Sequence, residues 1–308
     1  MSRLLMDVVD VDDAVPGIRK LTLARPDRAP LPSFTPGSHL VVEYGGGANA
    51  YSLTGETSNP AEYVVSVLEC VDGRGGSRWI HGLSVGDTVA VRGPRSAFAP
   101  ILRAKRHLLI AAGIGITPMV SHLRSARRWG RDARLLYIHR EGRGAYLDEI
   151  KALTDHARFF TDRSTFLAEL AAALADSPFG THAYICGPGA FIDDVVALAT
   201  GLGWPAGRIH VEHFGGELAP GEPFEVEIAS SRETFVVDSG TSLLEALEAR
   251  GHSVPSMCRQ GVCGECRLPV RSGVVVHRDL YLSEAERDAG DAMMACVSRA
   301  DGRLELSL

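Results

Sequence analysis

At 308 residues, 45% hydrophobic and 23% charged, the chain is expected to fold as two or three globular domains, each large enough for a core of its own. A net charge of −6 with no basic stretch excludes a nucleic-acid footprint. The longest apolar run, Leu108 to Val120, is broken by Gly113, Gly115 and Pro118 and is too short to cross a bilayer. The first residues carry no signal-peptide h-region and the six cysteines no disulfide framework, so a cytoplasmic protein is expected.

Residues 1–103 read as short alternating runs separated by Gly and Pro. They include Val8–Val11, Ile18–Leu23, His39–Glu43, Tyr63–Leu68 and Val85–Val91. Period-two alternation with frequent turns predicts an antiparallel β-barrel or sandwich. Two clusters stand out, Ala50-Tyr51-Ser52-Leu53-Thr54 and Gly73-Arg74-Gly75-Gly76-Ser77. A glycine turn with an arginine and a hydroxyl can aim N–H donors at a phosphate. By themselves the two clusters are equally an ordinary strand and an ordinary loop.

Residues 104–221 alternate strands and helices, the pattern of a doubly wound α/β domain. Arg106–Ala112 is a near-continuous apolar strand that runs into Gly113-Ile114-Gly115-Ile116-Thr117-Pro118. Thr117 is the expected N-cap of the helix that follows, with Pro118 in its first turn. A second strand over 133–138 precedes Arg140 and Arg143. Helices are expected near 146–153 and over 166–174, the latter with Phe166, Leu167, Leu170 and Leu174 on one side. Ala183-Tyr184-Ile185-Cys186-Gly187-Pro188-Gly189 forms strand and turn before a last helix over 191–199. Glycine turns at the carboxyl ends of parallel strands are where dinucleotides bind. Gly-x-Gly-x-Thr-Pro is not the Gly-x-Gly-x-x-Gly fingerprint, and a plain strand–helix turn fits it as well. Cys186 reads equally as a small buried apolar residue.

Pro220-Gly221-Glu222-Pro223 marks a linker into residues 222–308. That segment shows a hairpin from 224–228 and 234–237, a capped helix starting at Thr241-Ser242 with Glu245 near capping-box position, and further short strands, a small β-grasp pattern. Between them stand Cys258, Cys263 and Cys266, spaced C-x4-C-x2-C, and Cys296 follows after 29 residues. This is the plant-type ferredoxin spacing for a [2Fe–2S] cluster. Glycines at 261 and 264 let the backbone fold over the sulfurs. Zinc is the competing metal, but structural zinc sites pair two short knuckles, and only one C-x2-C is present. The segment holds 15 Asp/Glu against 9 Lys/Arg while 23 of each precede it, so the whole surplus of −6 falls here. Such a surface is either simply solvated or a docking face for a basic partner.

Taken in order, Tyr51-Ser52-Leu53, Gly73-Arg74-Gly75-Gly76-Ser77, Gly113-Ile114-Gly115-Ile116-Thr117-Pro118, Cys186-Gly187-Pro188, Glu212-His213-Phe214 and the four cysteines resemble the phthalate dioxygenase reductase family over essentially the full chain. The resemblance implies three domains: an FMN-binding barrel over 1–103, an NAD-binding α/β domain over 104–221 and a [2Fe–2S] ferredoxin domain over 222–308. It also implies an NADH-dependent reductase that passes hydride to FMN and then single electrons through the cluster to a terminal, Rieske-type oxygenase.

By the same resemblance, Tyr51 and Ser52 border the isoalloxazine, with the Ser52 hydroxyl near N5, Leu53 is a further cofactor-binding residue, and Gly75, Gly76 and Ser77 bind the FMN phosphate. Gly113, Gly115, Thr117 and Pro118 line the dinucleotide, Cys186 and Gly187 lie by the nicotinamide, and Phe214 stacks toward the flavin or only packs. Ser52, Cys186 and Phe214 are the expected catalytic residues. One departure is visible: the family's usual Arg two residues before the Tyr is Asn49 here. Arg74, Arg78 and Arg92 are the candidate substitutes, and FMN is expected over FAD because no extra adenine-binding segment is evident. Arg140 and Arg143 leave NADPH open beside NADH. The alternatives are an electron-transfer or redox-sensing subunit without its own turnover, and a cytochrome P450 as acceptor. A monomer is expected.

Overall fold

The computed structural model describes residues 3–308 except 46, 72, 74, 97, 215–220, 260 and 280. Arg74, Pro220 and Gln260 lie outside the described residues. The chain falls into two compact units, residues 1–46 with 51–214, and residues 47–50 with 215–308.

The first sheet contains β1 (Arg3–Val15), β2 (Ile18–Ala24), β3 (Ser38–Tyr44), β4 (Gly47–Ser52), β5 (Glu62–Leu68) and, after the short helix α1 (Gly76–His81), β6 (Thr88–Ser96). Its order is β4-β3-β6-β1-β2-β5. Past the end of β4, an antiparallel bridge between Leu53 and Val65 and a bond from Thr54 N–H to the Val64 carbonyl at 2.9 Å tie one edge to the other. The alternating pattern sends Leu21, Leu23, Leu40, Val42, Leu53, Val65 and Val91 into one core. Each such side chain contributes roughly 1.5–3 kcal/mol by burial.

The second sheet is wholly parallel. It is built from β7 (Arg106–Ala112), α2 (Ile116–Arg128), β8 (Ala133–Ile138), α3 (Leu147–Leu153), β9 (Ala157–Phe160), α4 (Arg163–Ala175), β10 (Thr181–Gly187), α5 (Gly189–Gly201) and β11 (Ile209–His213). The order β11-β10-β7-β8-β9 makes the pair β7 and β10 the topological switch point, where ligands bind in doubly wound sheets. Apolar residues on both faces of each strand explain why β7 reads as a continuous hydrophobic run.

Two local expectations are corrected. Helix α2 is capped at Gly115 rather than Thr117, because a tight turn over Gly113–Gly115 leads straight into it; the Thr117 hydroxyl instead donates back to the Ile114 carbonyl at 3.0 Å. Leu167 is 37% exposed while Phe166, Leu170 and Leu174 are buried, since it lies off the line that these three make along the helix. The edge strands β9 and β11 are too short to show a period of their own.

The two sheets of the larger unit share a core. Ile18 and Phe98 sit in the same cluster as Leu109, Met119 and Tyr184. Polar ties reinforce it: Gly37 N–H donates to Ser121 Oγ at 3.0 Å, and the Tyr146 hydroxyl reaches Ser66 at 2.5 Å and Thr54 at 3.0 Å.

The other unit contains β12 (Phe224–Ile228), β13 (Thr234–Val237), α6 (Leu243–Glu248), β14 (Arg267–Val276), α7 (Glu284–Ala289), β15 (Ala292–Met294) and β16 (Arg299–Leu306). Its sheet order is β13-β12-β16-β14-β15, with β12 parallel to β16. Ser242 and Glu245 form a complete capping box on α6. Buried Arg299 donates to the carbonyls of Thr241, Glu222 and Asp238.

Candidate functional site

In the larger unit the candidate site lies at the carboxyl ends of β7 and β10. Gly115 is required there: a Cβ would lie 2.3 Å from the Cys186 carbonyl oxygen, so only glycine lets the turn press against the end of β10. This brings Gly113, Gly115, Thr117 and Pro118 together with Cys186 and Gly187. The same turn lies beside β5 of the first sheet. Cys186 is wholly buried, and burial, with the Glu212 carboxyl as a second cause, holds its thiol well above the ordinary range.

Glu212 is a site residue that sequence reasoning quoted in a motif but assigned no role. It pairs with Cys186 across β10 and β11, is 5% exposed, and has no partner for Oε2 among the described residues. Burial pushes its carboxyl up to about 8, so it is protonated at neutral pH. The sequence Ile209-His210-Val211-Glu212-His213 carries no mark of this role, because only the pairing of β10 with β11 shows the carboxyl buried beside Cys186.

Ser52 is buried, and its hydroxyl also lacks a partner among the described residues. A hydroxyl in that state is uncommon unless a ligand or water completes it. Tyr51 is half-buried and packs against the core of the first sheet. Leu53, expected among the cofactor-binding residues, has its side chain sealed inside that core, because the alternation that turns Ser52 outward turns Leu53 inward. Gly75 has φ +94 with nothing near a Cβ, and Gly76 and Ser77 open α1. The Ser77 hydroxyl accepts from Cys70 N–H at 3.0 Å. Phe214 follows β11 at 39% exposure.

Of the candidate substitutes for the missing arginine, Arg92 binds Glu43 at 2.7 Å and Arg78 is exposed on α1. Arg95, opposite His39 on β6, is a further cation on this side of the sheet that the sequence reading passed over.

In the smaller unit Cys258, Cys266 and Cys296 are buried and Cys263 is half-buried. The thiols stand in two hydrogen-bonded pairs, Cys258 with Cys263 and Cys266 with Cys296. Sharing a proton within the second pair pushes Cys296 up and holds Cys266 down. Backbone N–H groups of Glu265 and Gly261 also reach the sulfurs of Cys263 and Cys296. Among the described residues no three ligating side chains converge as a site for a single ion. Two pairs of thiols are the donor set of a two-iron centre, two per iron, and the spacing C-x4-C-x2-C with one distant partner is the plant-type one.

Gly264, at φ +86, would place a Cβ 2.1 Å from the Tyr281 ring, so the loop closes under that ring only with glycine. The buried Asp279 carboxylate braces the same region, accepting from the N–H groups of Tyr281 at 3.1 Å and Leu282 at 2.8 Å and from the Ser298 hydroxyl at 3.1 Å. Asp279 was another residue without a sequence signal.

A parallel nucleotide-type sheet, a closed antiparallel sheet and a ferredoxin sheet with paired cysteines define an iron–sulfur flavoprotein oxidoreductase that uses a pyridine nucleotide. The comparisons agree. The family described as 2Fe-2S iron-sulfur cluster binding domain matches residues 226–301, and that described as dimethylamine monooxygenase subunit DmmA-like, N-terminal domain, matches residues 88–209. The chain is 40% identical over 278 residues to a heme-dependent oxidative N-demethylase beta subunit of Ectopseudomonas mendocina (strain ymp), covering 88% of each.

Among solved structures it resembles phthalate dioxygenase reductase with a TM-score of 0.71 and 34% identity, over 100% of this chain and 98% of that one. It also resembles an intact type IV self-sufficient cytochrome P450 monooxygenase with a TM-score of 0.80 and 36% identity, over 99% of this chain. The chain spans only 41% of that longer protein. The chain belongs to the phthalate dioxygenase reductase family.

Proposed function

We propose that the protein is the NADH-dependent reductase component of an oxygenase, carrying FMN and [2Fe–2S] and delivering electrons to a separate terminal oxygenase. The observation that carries this reading is the pairing of the four thiols in a chain whose switch-point turn lies against a closed antiparallel sheet. When bound, FMN takes a hydride from reduced nicotinamide and gives up electrons singly, and the [2Fe–2S] centre conducts them to the acceptor.

The chain's own residues orient these groups. Gly113, Gly115, Thr117 and Pro118 admit the dinucleotide to the backbone, while the neutral Cys186 thiol and Gly187 line the nicotinamide. Glu212 holds a proton on its carboxyl beside them. The Ser52 hydroxyl addresses the flavin N5, Tyr51 borders the ring, Phe214 covers it, and Gly75, Gly76 and Ser77 receive the phosphate. Cys258 and Cys263 hold one iron, and Cys266 and Cys296 the other. We place the domain boundaries at 103/104 and 221/222, and read the chain as a cytoplasmic monomer. Among the described residues no helix is long and apolar enough to cross a membrane.

A haem acceptor in place of a Rieske centre is the second reading, favoured by the N-demethylase beta subunit and the P450 among the relatives. NADH oxidation by the isolated chain with ferricyanide separates a reductase, which turns over, from a passive electron-transfer subunit, which does not. Coupled turnover with a Rieske or a haem oxygenase then distinguishes the acceptors.

A further inference from the structure

One buried side chain of the first sheet has no place in the site described so far. His39 on β3 is 4% exposed, and its Nε2 has no hydrogen-bond partner among the described residues. Burying a ring nitrogen without a partner carries the full cost of its desolvation, and native proteins rarely leave that cost standing.

Strands β3 and β4 are joined by only two residues, 45 and 46, so they run antiparallel. The Leu53 N–H bond to the Ser38 carbonyl at 2.8 Å sets their register and puts Ser52 opposite His39. Residues directly opposed on antiparallel strands point to the same face. Leu40, Val42 and Leu53 occupy the alternate positions and fill the core, so His39 and Ser52 share the other face. Ser52 Oγ is the second buried polar atom here without a partner. The two groups are neighbours yet not bonded to each other, which leaves an adjacent donor and acceptor set facing a third group.

The edge of a flavin presents N5 and, next to it, the C4 carbonyl oxygen, both acceptors. We infer that His39 is a flavin-contacting residue whose Nε2–H donates to the C4 carbonyl oxygen while the neighbouring Ser52 hydroxyl addresses N5. This rests on the FMN reading above. The ring is suited to the role because burial, helped by Arg95, holds it neutral, down to about 4, so one nitrogen keeps a proton and no charge is placed beside the flavin. The bond strengthens as the flavin is reduced and negative charge gathers on that oxygen, so His39 raises the potential of the bound flavin.

The test uses the full-length chain with His39→Leu, which keeps bulk without a donor, and His39→Gln, whose amide N–H replaces Nε2–H. FMN affinity is measured by flavin fluorescence on flavin-depleted protein, and the midpoint potential of the bound flavin by spectroelectrochemistry. His39→Leu is expected to bind FMN roughly ten-fold more weakly and to show a more negative midpoint, and His39→Gln to restore both. Wild-type affinity and midpoint in His39→Leu would overturn the assignment. Equal impairment in the two variants would also overturn it, because it would show a packing role. A wild-type chain that takes up no FMN would instead overturn the flavin reading itself.

Discussion

Replacing Glu212 by Gln should remove a defined pH dependence of stability. The carboxyl is 5% exposed and pushed up by burial to about 8, against about 4.3 in an unfolded chain. Below about pH 4 it is protonated in both states and adds no slope. As pH rises the unfolded chain ionises first while the folded one keeps its proton, so stability is lost across the window up to about 8 and levels off above it. At ~1.4 kcal/mol per unit the loss reaches about 3.6 kcal/mol by pH 7, of which about 3 kcal/mol falls above pH 4.5.

Gln keeps the shape and cannot titrate. The variant is expected to match the wild type at pH 4.5 and to exceed it by about 3 kcal/mol at pH 7. Urea unfolding of the flavin-depleted chain followed by tryptophan emission reads this locally, because all three tryptophans, Trp79, Trp129 and Trp204, lie in the larger unit. Parallel pH profiles for the two proteins would refute the reasoning and place an ionised, partnered carboxylate at this position.

Three further outcomes are expected. Cys263→Ser should lose iron and acid-labile sulfide while retaining NADH-to-flavin reduction, which precedes the cluster; chemical analysis and anaerobic absorbance at the flavin band check both. Asn49→Arg should tighten FMN by ~1–2 kcal/mol through a charge-assisted bond to phosphate, read by fluorescence titration; unchanged affinity would show that another cation, such as Arg95, already serves. Electron delivery to the oxygenase should slow with added salt, because the −6 surplus lies wholly in residues 222–308 and exposed charges are screened over ~10 Å at 0.1 M salt; stopped-flow reduction of the partner, with flavin reduction followed separately, checks it.

The features legible in the sequence were those with a local cause. Cysteine spacing, period-two runs and a glycine turn after an apolar strand each depend on neighbours a few residues apart. The paired thiols are consistent with that spacing, although Asp279, which braces the loop from 13 residues beyond Cys266, carried no mark of its role. Thr117 looked like a cap because capping residues are read from type, whereas the turn over Gly113–Gly115 already supplies the helix start. His39 and Glu212 were hidden for a different reason. Each stands inside an ordinary strand, and only the pairing of β3 with β4 and of β10 with β11 shows that their polar atoms are buried beside Ser52 and Cys186. The shared core of the first two sheets, with Ile18 and Phe98 among residues of the parallel domain, is likewise a product of long-range packing.

One chain is proposed to take electrons from NADH through FMN to a paired-thiolate [2Fe–2S] centre. Anaerobic stopped-flow mixing of the loaded chain with NADH, with freeze-quenched samples taken for electron paramagnetic resonance, tests it most directly. Flavin bleaching is expected first, followed by the signal of a reduced two-iron cluster that Cys263→Ser abolishes without slowing the bleaching. NADH oxidation with no cluster signal in the wild-type chain, or stoichiometric zinc in place of iron and sulfide, would rule this electron path out.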